Sequence, residues 1–235
     1  MNSLLQDLRY GARMLRKRPG FTLVAIITLA LGIGANTAIF SVVNDLLLRA
    51  LPYSDADRVV MVWEVTPSGR HMNTTSRANF REWRAQGSSF ESMSAFTDQR
   101  QNLTGAGEPE EVAVQFATPD LFKVLGVEPL HGRVLVEEDG NQGTAGVVLS
   151  YGFWKRRFGG DPGLVGKSIT LNGNPFTVVG VMPPSFHWHI KQRSGTGKPA
   201  EVWGVLPMPP AGTQGANERG RYLSVVGKLK KGVTF

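Results

Sequence analysis

Residues 21–44 read FTLVAIITLALGIGANTAIFSVVN, and no charged side chain interrupts them until Asp45. As an α-helix at 1.5 Å per residue the stretch is about 36 Å long, enough to cross a hydrocarbon core of about 30 Å. A buried core helix rarely runs so far without charge, so the composition predicts one transmembrane helix over 21–44. A cleavable signal peptide is the rival reading, with Gly32 and Gly34 as small residues near a cleavage point. Apolar residues resume at Ala38, Ile39, Phe40, Val42 and Val43, which makes the hydrophobic block too long for that.

Outward from this block, the charges orient it. Arg9, Arg13, Arg16, Lys17 and Arg18 precede it against Asp7 alone, whereas Asp45 and Asp55 follow it. Positive residues stay on the cytoplasmic side, so the N-terminus is expected inside and residues 45–235 outside. Leu4, Leu5, Leu8, Ala12 and Leu15 recur at helical spacing within 1–20, predicting a basic amphipathic helix on the cytoplasmic leaflet. Its five cations are the expected contacts for anionic lipid, and Pro19 breaks or redirects it. Inside the membrane block Ala30, Gly34 and Ala38 fall at four-residue spacing. They form a small-residue stripe against which another helix backbone can pack.

The chain carries a formal charge of +7, but much of the excess lies before residue 20 and the remainder is nearly balanced. No basic stripe with interleaved aromatics follows, which argues against a nucleic-acid partner. Cysteine is absent, excluding disulfides, thiolate metal sites and cysteine nucleophiles. An apolar fraction of 41% with twelve Phe and five Trp supplies a packed core.

Past Pro52 the pattern changes to short alternating segments broken by Gly, Pro and Asn, which predicts a mixed α+β domain over 45–235 with mostly hairpin connections. Arg58–Val65 reads as one strand, 76–86 as a helix capped by Ser76 with Phe80 and Trp83 inward, and 112–117 as a strand. A short helix follows over 120–125, ended by Gly126. Val147–Ser150 reads as a strand and Tyr151–Phe158 as a helix. SITL and FTVVGV flank Asn172-Gly173, a hairpin signal, and 222–229 reads as a last strand. Thr234 then sits where a helix N-cap would, so the domain reads as cut short, with one sheet face left open.

Chemistry-bearing motifs are weak. Gly166-Lys167-Ser168 resembles the end of a phosphate loop, but Asp161 stands where its first glycine should, and a strand follows. His187 and His189 could share one face of a strand, while His71 and His131 are remote, so no metal site is expected. Ser150 and Ser185 lack a nucleophile elbow. Neither a cofactor nor a catalytic residue is expected.

Four segments carry a resemblance. They are DLRYGARMLRKRPGFTLVAIITLALGIGANTAIFSVVNDLLLRALPY at 7–53, LFKVLGVEPLHGRVL at 121–135, VVLSYGFWKRRFGGDPGLVGKSITLNGNPFTVVGVMPPSF at 147–186 and GRYLSVVGKLKKGVT at 220–234. With them the chain resembles the N-terminal half of FtsX-like or MacB-type ABC transporter permeases, particularly the large permeases of acidobacteria and related soil bacteria. The resemblance implies an inner-membrane protein whose first helix leads into a periplasmic core domain. It also implies a separate cytoplasmic ATPase subunit, partner permease helices or a second permease copy, and three further membrane helices that these 235 residues do not include. The alternative is a single-pass module that displays a sensor domain to periplasmic partners without transport, and a secreted enzyme released by cleavage is a third.

Overall fold

The computed structural model describes residues 10, 13–43, 55–105, 107–141, 143, 145–188, 196–213 and 217–233. The chain divides into two compact units, Met1–Leu51 and Pro52–Phe235. The first is dominated by α1 (Pro19–Val43), which is apolar on every side and buries none of its length in the molecule. Such a helix is long and apolar enough to cross a membrane.

Residues 13–17 are helical and Arg18 interrupts before Pro19 opens α1. Proline has no N–H to return to the Leu15 carbonyl four residues back. The Thr22 hydroxyl lies 2.7 Å from that carbonyl and 3.0 Å from the Arg18 carbonyl, supplying the missing donor. The redirection expected at Pro19 is therefore a one-residue break bridged by a side chain. Leu4, Leu5, Leu8 and Ala12 lie outside the described residues.

In the second unit the strands are β1 (Val59–Val62), β2 (Glu64–Val65), β3 (His71–Met72), β4 (Phe90–Thr104), β5 (Glu110–Ala117), β6 (His131–Gly132) and β7 (Gly146–Leu149). They continue with β8 (Ser168–Leu171), β9 (Asn174–Val181), β10 (Val202–Val205) and β11 (Ser224–Leu229). The helices are α2 (Arg77–Gln86), α3 (Leu121–Leu125) and α4 (Tyr151–Phe158). Nine strands make one sheet, eight of them in the order β1-β11-β4-β5-β10-β7-β9-β6 with β8 off this path, while β2 and β3 form a separate ribbon. β8 pairs with both β9 and the far end of β4. The pairings β4-β5-β10-β7-β9-β8 thus return to β4 and enclose a small closed ring.

The expectation of mostly hairpin connections needs correction. β5 with β10 and β7 with β9 are parallel pairs, and α4 carries the chain away from the β7 edge before it returns. A parallel neighbour requires such a crossover, whereas the hairpins β4–β5 and β8–β9 are local. The expected strand at 58–65 also divides at Trp63, the outer piece pairing with β3.

Alternation along the strands separates the ring interior from the core under α3, and a third cluster lies under α2. Val112, Val114, Val147, Leu149, Ile169, Leu171, Val178 and Val202 point into the ring, which Phe153 and Trp154 of α4 help fill. Phe96, Val148, Val179, Trp203 and Val226 face the other way, against Leu121, Phe122, Val124 and Leu125 of α3. Burying each large side chain stabilises by about 1.5–3 kcal/mol. Where β9 crosses β7, the partner jumps from Val178 to Gly180, and this bulge returns Val181 to the ring side, three residues after Val178, while Val179 between them faces α3.

At Asn172-Gly173 both residues have positive φ, 47° and 79°, the geometry of a two-residue type I′ turn. Ser76 caps α2 by accepting from the Asn79 amide at 3.2 Å, and Gly126 ends α3 with φ 63°. β11 is not open on one face: Val225 packs with Phe80 and Met93, and Val226 with Phe96 and Trp203. The open face expected at this strand is therefore corrected, because α2 and α3 cover its two sides. Thr234 itself lies outside the described residues.

Candidate functional site

On α1 the residues Ala30, Gly34 and Ala38 are exposed at four-residue spacing on one stripe. A Cβ built on Gly34 would meet nothing within 4 Å, so the stripe has room for a neighbouring backbone. Arg13, Arg16 and Lys17 are exposed on the short helical turn before the break, and Arg18 is exposed at it. Arg9 lies outside the described residues. The two groups lie on either side of the break at Arg18.

In the second unit one cleft of about 640 Å³ is walled by Arg84 of α2, Asp120 and Lys123 at α3, the 134–141 loop and Leu206 to Pro209 after β10. Arg84 and Asp120 form an ion pair of 2.8 Å across it. The loop wall is fixed from behind by Asp139. Its carboxylate, nearly buried, takes both terminal nitrogens of Arg133 at 2.6 and 2.8 Å and the Val136 amide at 2.9 Å. Burial opposes its ionisation, yet the Arg133 guanidinium and the Val136 N–H outweigh that and hold the carboxyl below its ordinary range. Gly146 makes room, since a Cβ there would lie 2.6 Å from that carboxylate.

A second cleft of about 560 Å³ lies between the start of α4, the strap 184–188 after β9 and residues 198–203. The strap is not a strand, contrary to the arrangement in which His187 and His189 would share a face. His189 lies outside the described residues. Phe186 packs on Trp203 with ring centroids 5.3 Å apart, and Trp188 packs on Phe96 at 5.9 Å. Beneath them Gln115 is buried, and its carbonyl accepts from the indole N–H groups of Trp188 at 3.0 Å and Trp203 at 3.2 Å. Its amide donates to Asp98 at 2.8 Å, so the side chain is a polar pin through an aromatic core.

Gln115 and Asp139 are the residues that sequence reasoning passed over. Gln115 had a signal: at period two it shares a strand face with Ala113 and Ala117, a polar side chain at an inward position. Asp139, in an acidic stretch that reads as solvated, had none. The motifs weighed earlier resolve into structural roles. Lys167 reaches the Asp161 carboxylate at 3.3 Å and Ser168 opens β8, Ser150 caps α4, and His131 stands edge-on to Trp154 at 5.3 Å.

Two solved structures share this architecture. The periplasmic region of MacB from Actinobacillus actinomycetemcomitans aligns with a TM-score of 0.54 at 19% identity, covering 81% of this chain and 82% of that one. The extracellular domain of the noncanonic ABC-type transporter YknZ from Gram-positive bacteria aligns with a TM-score of 0.51 at 13% identity, covering 74% and 84%. At such identities the likeness is one of fold. No curated protein sequence matches the chain. The profile of the MacB-like periplasmic core domain matches residues 22–235, nearly the whole chain, and the chain belongs to that family, the extracytoplasmic module of MacB-type and FtsX-like ABC permeases.

Proposed function

We propose that the chain is the membrane anchor and periplasmic module of an ABC-type permease of the export or lipoprotein-release kind, without catalysis of its own. In this reading α1 crosses the inner membrane with its N-terminus in the cytoplasm, and a separate cytoplasmic ATPase drives movements that reach the periplasmic domain. The observation that carries it is an all-apolar, unburied helix in the N-terminal part of a chain whose residues 22–235 match this family. The stripe of Ala30, Gly34 and Ala38 supports contact with other permease helices, and Arg9, Arg13, Arg16, Lys17 and Arg18 support contact with anionic lipid.

The test is co-purification from membranes with an ABC ATPase encoded beside the gene. Stimulation of its ATPase activity by the full-length permease is the expected result. Periplasmic partners captured with no ATPase associated would favour the display module instead.

A further inference from the structure

The first described residue after α1 is Asp55, whose backbone adopts φ 59°, a left-handed conformation uncommon outside glycine. It precedes the turn Ala56–Arg58 that feeds β1, and four contacts from two cations converge there. The Arg58 guanidinium donates to the Asp55 carboxylate at 2.5 Å, to Glu91 of β4 at 3.0 Å and to the Leu229 carbonyl at 2.7 Å. From β11, the Lys228 ammonium reaches the same Asp55 oxygen at 3.0 Å, and Lys228 is only 7% exposed. Three strands are thereby tied at one point.

β1 has reason to be tied. Among the described residues it is the last strand of its sheet, four residues long and half-buried, and pairs there with β11 alone, from Val59↔Lys228 to Val62↔Val225. A strand so short peels readily from a sheet edge, because few ladder bonds and little apolar burial hold it. In the chain it is also the first described strand after α1. A displacement transmitted along the backbone arrives at Asp55 before it arrives at β1.

We infer that the Asp55–Arg58–Lys228 cluster is the joint that locks β1 to β11 and β4, so that movement of α1 shifts the whole sheet and does not strip β1 from its edge. This rests on the reading that the domain is driven from the membrane. Within that reading it assigns positioning roles to Asp55, Arg58 and Lys228, which touch no cargo.

The chain has no cysteine, so a pair introduced by Ser54→Cys and Lys167→Cys gives unique handles for single-molecule pulling of the full-length protein in lipid nanodiscs. Under constant load, the lifetime before β1 detaches is expected to fall several-fold in Lys228→Met and to be restored in Lys228→Arg, with melting temperature little changed. Equal lifetimes in wild type and Lys228→Met would overturn the joint. Asp55→Asn approaches the cluster from the other side should Lys228→Met fail to fold, and the same several-fold loss is expected.

A second arm adds the ATPase and follows ATP-dependent amide exchange in β4 and β5, expected in wild type and lost in Lys228→Met. Unchanged ATP dependence in that variant would also overturn the joint. If wild type shows no ATP response while the lifetimes differ as stated, the joint stands and the coupling reading falls.

Discussion

The buried amide of Gln115 joins two tryptophans and an aspartate, Trp188, Trp203 and Asp98. Replacing it by Leu removes the carbonyl that accepts from the Trp188 and Trp203 indole N–H groups. Losing a buried acceptor costs about 1–3 kcal/mol, so Gln115→Leu is expected to destabilise by about 3 kcal/mol and lower the melting temperature of the domain by roughly 6–12 °C. A calorimetric scan decides it, and an unchanged transition would remove the pin. At Asp139 the sign follows from the depressed folded-state pKa. The stabilisation is fully present above the ordinary carboxyl value of 3.8 and is lost as pH falls through the lower folded value. Asp139→Asn is therefore expected to lower stability at pH 7 by about 2 kcal/mol while flattening the acid limb of the stability curve below about pH 4. Denaturant titrations at a series of pH values read both effects.

Among elements, α1 and the β6–β9 crossing depend most on what is missing from their side chains. Gly34→Leu keeps α1 as apolar as before, so membrane insertion should be unaffected. A bulky side chain on the Ala30–Gly34–Ala38 stripe would hold a neighbouring backbone away, and association with other permease helices is expected to weaken. A membrane two-hybrid assay against the full permease helices measures this, and unchanged association would show that the stripe is not an interface. At the β6–β9 crossing, a Cβ on Gly180 would lie 2.2 Å from the Arg133 carbonyl oxygen. Gly180→Ala is expected to cost about 2–3 kcal/mol by forcing that backbone apart, loosening the start of the loop that walls the larger cleft. Chemical denaturation of the variant checks it.

For the whole molecule, orientation is the property on which every functional statement turns. The cations before α1 and Asp45 after its apolar block predict a cytoplasmic N-terminus. Alkaline phosphatase fused at residue 60 and at residue 230 should be active in both cases, since that enzyme matures only outside the cytoplasm. Two inactive fusions would reverse the topology and leave the ATPase reading without its geometry. The second unit closes its own ring of strands and buries three apolar clusters of its own.

Local chemistry alone was enough for α1, the Ser76 cap, α4 with its Ser150 cap and the Asn172-Gly173 hairpin. Each rests on contacts within a few residues of itself, where side-chain pattern and backbone preference act directly. β4 shows the opposite case. Its fifteen residues, FESMSAFTDQRQNLT, alternate poorly, because the strand serves one core at Met93 and Ala95, another at Phe96 and the ring interior at Leu103. Its identity as a strand comes from β5, β8 and β11, which supply its ladder from distant parts of the chain. The parallel pairings, the ring closure through β8, the Gln115 pin and the cluster at Asp55 are likewise decided by tertiary structure. They join residues far apart in sequence, and such pairings leave no periodic trace in either partner.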